Sequence, residues 1–97
     1  MDKHIYLCDL YDFYKELFTE KQQEYFEDYY FNDLSLAEIA ENHGVSRNAI
    51  HNQLKIIEDN LHDYEKKLKL YEKKNKIIDI LEEKIDNSII EEIKGIL

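Results

Sequence analysis

Apolar residues recur every three and four positions from the start of the chain. Tyr6, Leu10, Phe13 and Leu17 form one stripe, and Leu7, Tyr11, Tyr14 and Phe18 form an adjacent one. Together they predict a helix over 2–18 with a wide apolar face. Thr19 followed by Gln22 has the capping-box pattern that opens a second helix, with Tyr25, Phe26, Tyr29 and Tyr30 on one side and an end near Asn32-Asp33. Ser35 and Glu38 repeat that pattern and open a short helix through Leu36, Ile39 and Ala40. Gly44 can adopt the left-handed conformation that stops it at His43, and Ser46 is a good N-cap for the next helix. From there Ile50, Leu54, Ile57, Leu61, Tyr64, Leu68 and Tyr71 alternate at four and three, an unbroken heptad seam. This predicts one helix over 46–73, roughly 40 Å long at 1.5 Å per residue. KIIDILEEKI and SIIEEIKGIL then read as two short helices, with Asn87-Ser88 as break and cap.

The sequence has no proline and two glycines, too few turn residues for a sandwich or barrel. The expected class is therefore all-α. Within it, LSLAEIAENHGVSRNAIHNQL has the outline of a helix-turn-helix, with a winged-helix-like character: helix, short turn with glycine, helix. Ala40 is small where two crossing helices must approach, and Ile39, Val45 and Ile50 fall where the shared core belongs. A helical hairpin without a DNA role can share this outline. Residues 1–60 are expected to form the helix-turn-helix domain, and 61–97 an arm. A seam 40 Å long outreaches a compact domain of this size, so its distal turns need cover. The two C-terminal helices could fold back on it, or a second chain could supply the cover. The preferred reading is a homodimer through Leu61, Tyr64, Leu68, Tyr71, Ile78 and Leu81.

Charge complicates this picture. The 97 residues carry 22 acids against 13 lysines and arginines, a net of −9, the wrong sign for a generic nucleic-acid binder. The imbalance is uneven. Residues 1–45 hold three lysines against eleven acids, whereas 46–97 hold ten basic and eleven acidic residues. The segment 66–76 gathers Lys66, Lys67, Lys69, Lys73, Lys74 and Lys76 against one glutamate. It reads as either a basic contact patch or the solvated face of a helix. The total therefore does not exclude DNA, but it predicts weak, salt-sensitive binding.

In a DNA-binding motif the second helix enters the major groove by its N-terminal end. Helical spacing sets Ser46, Arg47, Asn48, His51, Asn52 and Lys55 on the side opposite Ile50 and Leu54. Arg can bond guanine bidentately, Asn can bond adenine, and Ser46 with the helix N-terminus can hold a phosphate. Arg47 is the only arginine in the chain; the competing reading pairs it with an acid on the preceding helix. The many tyrosines suit a core with a wet rim better than a base-stacking platform.

His4 and Cys8 stand one helical turn apart, but no third or fourth ligand is near in sequence, so no metal and no other cofactor is expected. No phosphate-cradling loop or nucleophile motif occurs, and the chain does not read as an enzyme. A single cysteine, an N-terminus unlike a signal peptide and the lack of a span-length apolar run suggest a cytoplasmic protein.

The run LYDFYKELFTEKQQEYFEDYYFNDLSLAEIAENHGVSRNAIHNQLK, followed by LHDYEKKLKLYEK, resembles the YlxM-like helix-turn-helix proteins over about residues 5–75. Its markers are DFY (12–14), FTEKQ (18–22), YY and DLSL within 29–36, and VSR (45–47). The motif is also similar to region 4 of bacterial sigma factors, which reads promoter DNA. The YlxM-like proteins are small bacterial proteins encoded beside genes of the signal recognition particle. The resemblance implies an all-helical fold and DNA contact by Ser46, Arg47, Asn48, His51 and Lys55, in a transcriptional regulator linked to that pathway. The other reading is a protein- or RNA-interaction module among signal recognition particle components, with the 66–76 lysines as its contact surface. Ile56 departs from the pattern where a second basic residue would follow Lys55, and 78–97 match only loosely.

Overall fold

The computed structural model describes residues 2–97. Six α-helices succeed one another: α1 (Lys3–Tyr14), α2 (Glu20–Tyr30), α3 (Leu36–His43), α4 (Arg47–Leu68), α5 (Leu70–Lys84) and α6 (Asn87–Ile96), with one 3-10 turn at Lys15–Leu17. No strand occurs among the described residues, so the chain is all-α and the winged-helix-like character fails for want of a β-hairpin wing.

Local chemistry explains most boundaries. Thr19 and Ser35 each form a complete capping box, with Gln22 and Glu38 reaching back to the cap backbone. The helix predicted over 2–18 instead ends at Tyr14 and tightens into the 3-10 turn. Gln23 of α2 donates its side-chain amide to the Lys15 and Phe18 carbonyls at 3.0 and 3.2 Å, holding the altered exit. Leu17, expected in the apolar stripe, is consequently 55% exposed.

α1, α2, α3 and the first four turns of α4 enclose one core, built on Leu7, Leu10, Phe26, Ile39, Ile50 and Ile57, each fully buried. Phe26 is sandwiched between the rings of Tyr11 (4.1 Å) and Tyr30 (4.4 Å), both stacked on it. Three tyrosine hydroxyls cross between helices to glutamate carboxylates, each at 2.7 Å: Tyr11 to Glu27 joins α1 to α2, Tyr14 to Glu65 joins α1 to α4, and Tyr30 to Glu58 joins α2 to α4. This is the hydroxyl satisfaction that a tyrosine-rich core demands.

The single helix expected over 46–73 does not form. α4 stops at Leu68, Lys69 takes a left-handed conformation (φ 56°), and α5 begins at Leu70. The heptad spacing crosses this break without meaning one seam. Lys69 provides no side-chain cap for α5. Its first amides are satisfied from the body instead. Leu70 N–H donates to the Tyr14 hydroxyl oxygen at 3.1 Å, and Tyr71 and Glu72 N–H donate to the two Glu65 carboxylate oxygens at 3.1 and 3.0 Å. A buried carboxylate thus meets the positive end of α5, a favourable arrangement on dipole grounds. The expected division at 60/61 falls inside α4, and Leu61 belongs to the core.

α5 and α6 form a hairpin that turns at Ile85-Asp86, with Asp86, one residue before the predicted Asn87-Ser88 cap, accepting from Ser88 N–H at 2.7 Å. Of its apolar side chains only Ile78 and Ile90 are buried, while Ile77, Ile80, Ile89 and Ile96 are exposed. The radius of gyration is 16.3 Å and the extents are 52 × 25 × 24 Å, against about 13 Å for a compact chain of this length. No helix among the described residues is long and apolar enough to cross a membrane.

Candidate nucleic-acid interface

α3 ends on Gly44 (φ 66°), where any other residue would be strained. Val45 N–H donates to the Ala40 carbonyl at 3.0 Å and Gly44 N–H to the Glu41 carbonyl at 3.3 Å, the pair of bonds that closes a Schellman turn. Ser46 Oγ then accepts from Ala49 N–H at 3.0 Å and starts α4. Ala40 is buried, as close helix approach requires, and Ile39 and Ile50 complete the contact. Val45, expected in that core, is 40% exposed, because the Schellman turn directs it off the end of α3.

Ser46, Arg47, Asn48, His51, Asn52 and Lys55 are all exposed, opposite the buried Ile50, Leu54 and Ile57. The guanidinium of Arg47 makes no ion pair among the described residues, so the alternative partner on the preceding helix is absent. Lys55 lies 3.5 Å from Asp59, an exposed i,i+4 pair that holds it loosely. Ile56 is exposed beside it, leaving that turn without a second cation. The face can donate to phosphates and base edges along its first turns, and Asp59 sets its limit.

The lysines of 66–76 divide. Lys67 pairs with Asp63 at 2.9 Å and Lys76 with Glu72 at 3.1 Å, both one helical turn apart. Lys74 lies over the Phe13 ring, 5.6 Å from its centroid. Lys66, Lys69 and Lys73 remain exposed around the α4–α5 corner. The two basic surfaces stand at opposite ends of α4, roughly 33 Å apart for 22 residues at 1.5 Å each.

The residues expected to dimerise are also dispersed. Leu61 is fully buried in the chain's own core and has no surface for a second copy. Tyr64 and Tyr71 pack partly buried against that core, Tyr71 edge-on to Tyr6 at 5.5 Å. Ile78 is buried, Leu81 is half-buried and Leu68 is exposed. His4 and Cys8 stay apart in role: His4 Nε2 lies 3.1 Å from the Tyr30 carbonyl oxygen, while burial, then Asp12 and Asp9, push the Cys8 thiol up, away from the reactive thiolate. The Tyr14–Glu65 cap escaped sequence reasoning, although a charged residue four positions after Leu61, on the core-facing stripe, was the available signal.

These features define a helix-turn-helix protein with a short supporting helix, a Schellman turn and an exposed polar face on its second helix. The model of the family described as "Putative helix-turn-helix protein, YlxM / p13 like" matches residues 1–96, and the chain belongs to that family. It is 44% identical over 84 residues to a UPF0122 protein of Malacoplasma penetrans, covering 87% of this chain and 78% of that one. A UPF0122 protein of Halalkalibacterium halodurans is 43% identical, covering 86% and 76%. One from Streptococcus thermophilus is 46% identical, covering 91% and 84%.

Proposed function

We propose that the chain is a cytoplasmic DNA-binding regulator that reads duplex DNA with the N-terminal turns of α4. The observation that carries this is Arg47: the only arginine, exposed at the start of the recognition helix and free of any ion pair among the described residues. Asn48, His51, Asn52 and Lys55 extend the same face along α4, and Ser46 opens it. Association of two copies through the exposed isoleucines of the α5–α6 hairpin would present two such faces to half-sites about 34 Å apart, one turn of DNA. Arg47→Ala is expected to weaken binding to selected genomic fragments about tenfold or more, the value of one bidentate base contact, while circular dichroism shows the helices retained. Absence of any gel shift by the wild-type protein at low salt overturns the reading.

One observation favours a second reading, that of a protein- or RNA-interaction module of the signal recognition particle pathway. Lys66, Lys69 and Lys73 are exposed and make no direct ion pair, far from Arg47. If they are the contact surface, replacing them with glutamine abolishes binding to particle RNA or protein and Arg47→Ala changes nothing.

A further inference from the structure

The bend between α4 and α5 is made without the residues that ordinarily break a helix. The chain has no proline, and its glycines stand at 44 and 95, far from the junction. Lys69 takes the left-handed conformation (φ 56°), which crowds the Cβ of an ordinary residue against its own backbone. The flanking run KKLKLYEKK is rich in lysine, leucine and glutamate, all strong helix formers. Local sequence therefore favours a straight helix here, and tertiary bonds hold the bend.

Those bonds match, one for one, what a straight helix would supply. In a continuous helix the amides of Leu70, Tyr71 and Glu72 would bond the carbonyls of Lys66, Lys67 and Leu68. At the bend those three bonds are absent. The same three amides donate instead to the Tyr14 hydroxyl at 3.1 Å and to the two Glu65 carboxylate oxygens at 3.1 and 3.0 Å. The bonds on either side, from Lys69 N–H to the Glu65 carbonyl and from Lys73 N–H to the Lys69 carbonyl, already have helical spacing. The apolar phase also survives the bend, since Ile50, Ile57, Tyr64, Tyr71, Ile78 and Ile85 stand seven apart throughout. The junction thus has two arrangements that satisfy the same amides, and the bent one carries a strained residue.

The hairpin's seat on the body is small. Tyr71 packs edge-on against Tyr6 (5.5 Å) and Phe13 (6.5 Å), Lys74 lies over Phe13, and Asn75 and Leu97 border Asp9 and Asp12 of α1. Straightening would lift α5 and α6 off this seat together and uncover Tyr6, Phe13 and Tyr71. A second straightened copy fits the vacated surfaces without any new complementarity, because its hairpin is identical to the one that left.

We infer that the junction is a hinge, and that two copies exchange their α5–α6 hairpins by straightening at Lys69 into a continuous helix over 47–84, roughly 57 Å long at 1.5 Å per residue. Each hairpin then occupies the α1 seat of the other copy. This interface is distinct from contact through the hairpin's outward isoleucines, and it does not depend on DNA binding. Tethering favours the bent monomer at low concentration, because a short linker holds the hairpin at an effective concentration of about millimolar. Relief of strain in both chains favours exchange when copies are crowded.

Refolding the Ile80→Glu chain from urea, at high and at low protein concentration, tests this with the outward isoleucine contact weakened. Sedimentation is expected to show monomers after refolding at low concentration. After refolding at high concentration it should show dimers that persist on dilution, because return requires both hairpins to unseat. Lys69→Gly in that background should lower the apparent dimerisation constant about a hundredfold or more, since glycine relieves the bend and disfavours the straight helix in both chains. Seating is read by paramagnetic broadening. A chain carrying a nitroxide at Lys73→Cys, with Cys8→Ser, is refolded together with an isotope-labelled chain that has no nitroxide. In the mixed dimer the Phe13 amide of the isotope-labelled copy should broaden. Absence of dimers at high concentration, dimers unaffected by Lys69→Gly, or a Phe13 amide left sharp would each overturn the exchange, and none of these results bears on the Arg47 test of DNA binding.

Discussion

The body of α1–α4 and the hairpin of α5–α6 are both built from amphipathic helices, aromatic-rich in α1 and α2 and isoleucine-rich in the hairpin, yet they use them in opposite ways. In the body nearly every apolar stripe is closed off, and tyrosine–glutamate bonds join each pair among α1, α2 and α4. In the hairpin two isoleucines are buried, while Ile80 is 57% and Ile96 82% exposed. The body is self-sufficient and the hairpin is unfinished. Amphipathic helices alone do not make a core; the number of faces available to cover them does.

The sharpest way to break this contrast is to empty the body's centre. Phe26→Ala removes a fully buried ring stacked between two others and should cost about 3–5 kcal/mol, read as a lowered midpoint in urea, whereas Ile80→Ala should change that midpoint by less than about 0.5 kcal/mol in the monomer. A comparable loss at both positions would mean that the hairpin is not the weaker region.

A smaller effect is expected at the junction. Tyr14→Phe deletes the hydroxyl that donates to Glu65 and accepts from Leu70 N–H, at a cost of about 1–3 kcal/mol. Hydrogen exchange should speed up at Leu70, Tyr71 and Glu72 while the α3–α4 amides stay protected. The same pair has an alkaline signature. Burial first, then the Glu65 bond, pushes the Tyr14 phenol up to about 12, and burial and a glutamate bond likewise raise Tyr11 and Tyr30. Unfolded phenols ionise near pH 10. The contribution is therefore intact below about pH 10 and lost as pH rises through about 12. Phenolate absorbance should thus fall short of the eight tyrosines until the fold opens.

The smallest effect on the isolated chain, Ile80→Glu, bears most on association. If two copies associate as proposed, sedimentation should show wild-type dimers at concentrations where the variant is monomeric, with its unfolding midpoint little changed. Dimers that persist in the variant would place the contact elsewhere.

Capping boxes, the glycine turn and, apart from Leu17 and Val45, the apolar stripes were legible as far as Leu61, because each is fixed by residues close in sequence. The family and its all-helical class were legible for the same reason. The end of α4 was not. Spacing alone continues through Leu68 and Tyr71, and the interruption at Lys69 depends on Tyr14, distant in sequence, and on Glu65 being directed inward. Val45 and Leu17 look apolar in any pattern and lie at the surface because of the turn that each adjoins. In the candidate interface, the exposed face of α4 came from helical period. The absence of an ion pair at Arg47 among the described residues did not, since it depends on where the acids of α3 fall when the helices cross.

The Tyr14–Glu65 anchor fixes the hairpin's direction as well as its start. Both groups belong to the helices that carry the body, so three main-chain amides at the start of α5 are tied to α1 and α4. In two copies clasped by their hairpins, the reach between reading heads would be set at Lys69. A tilt of one degree there moves a head roughly 33 Å away by roughly 0.6 Å. In such a proposed dimer a single carboxylate, Glu65, would act as the set-screw of a caliper, and loosening it would blur the gap that the caliper measures.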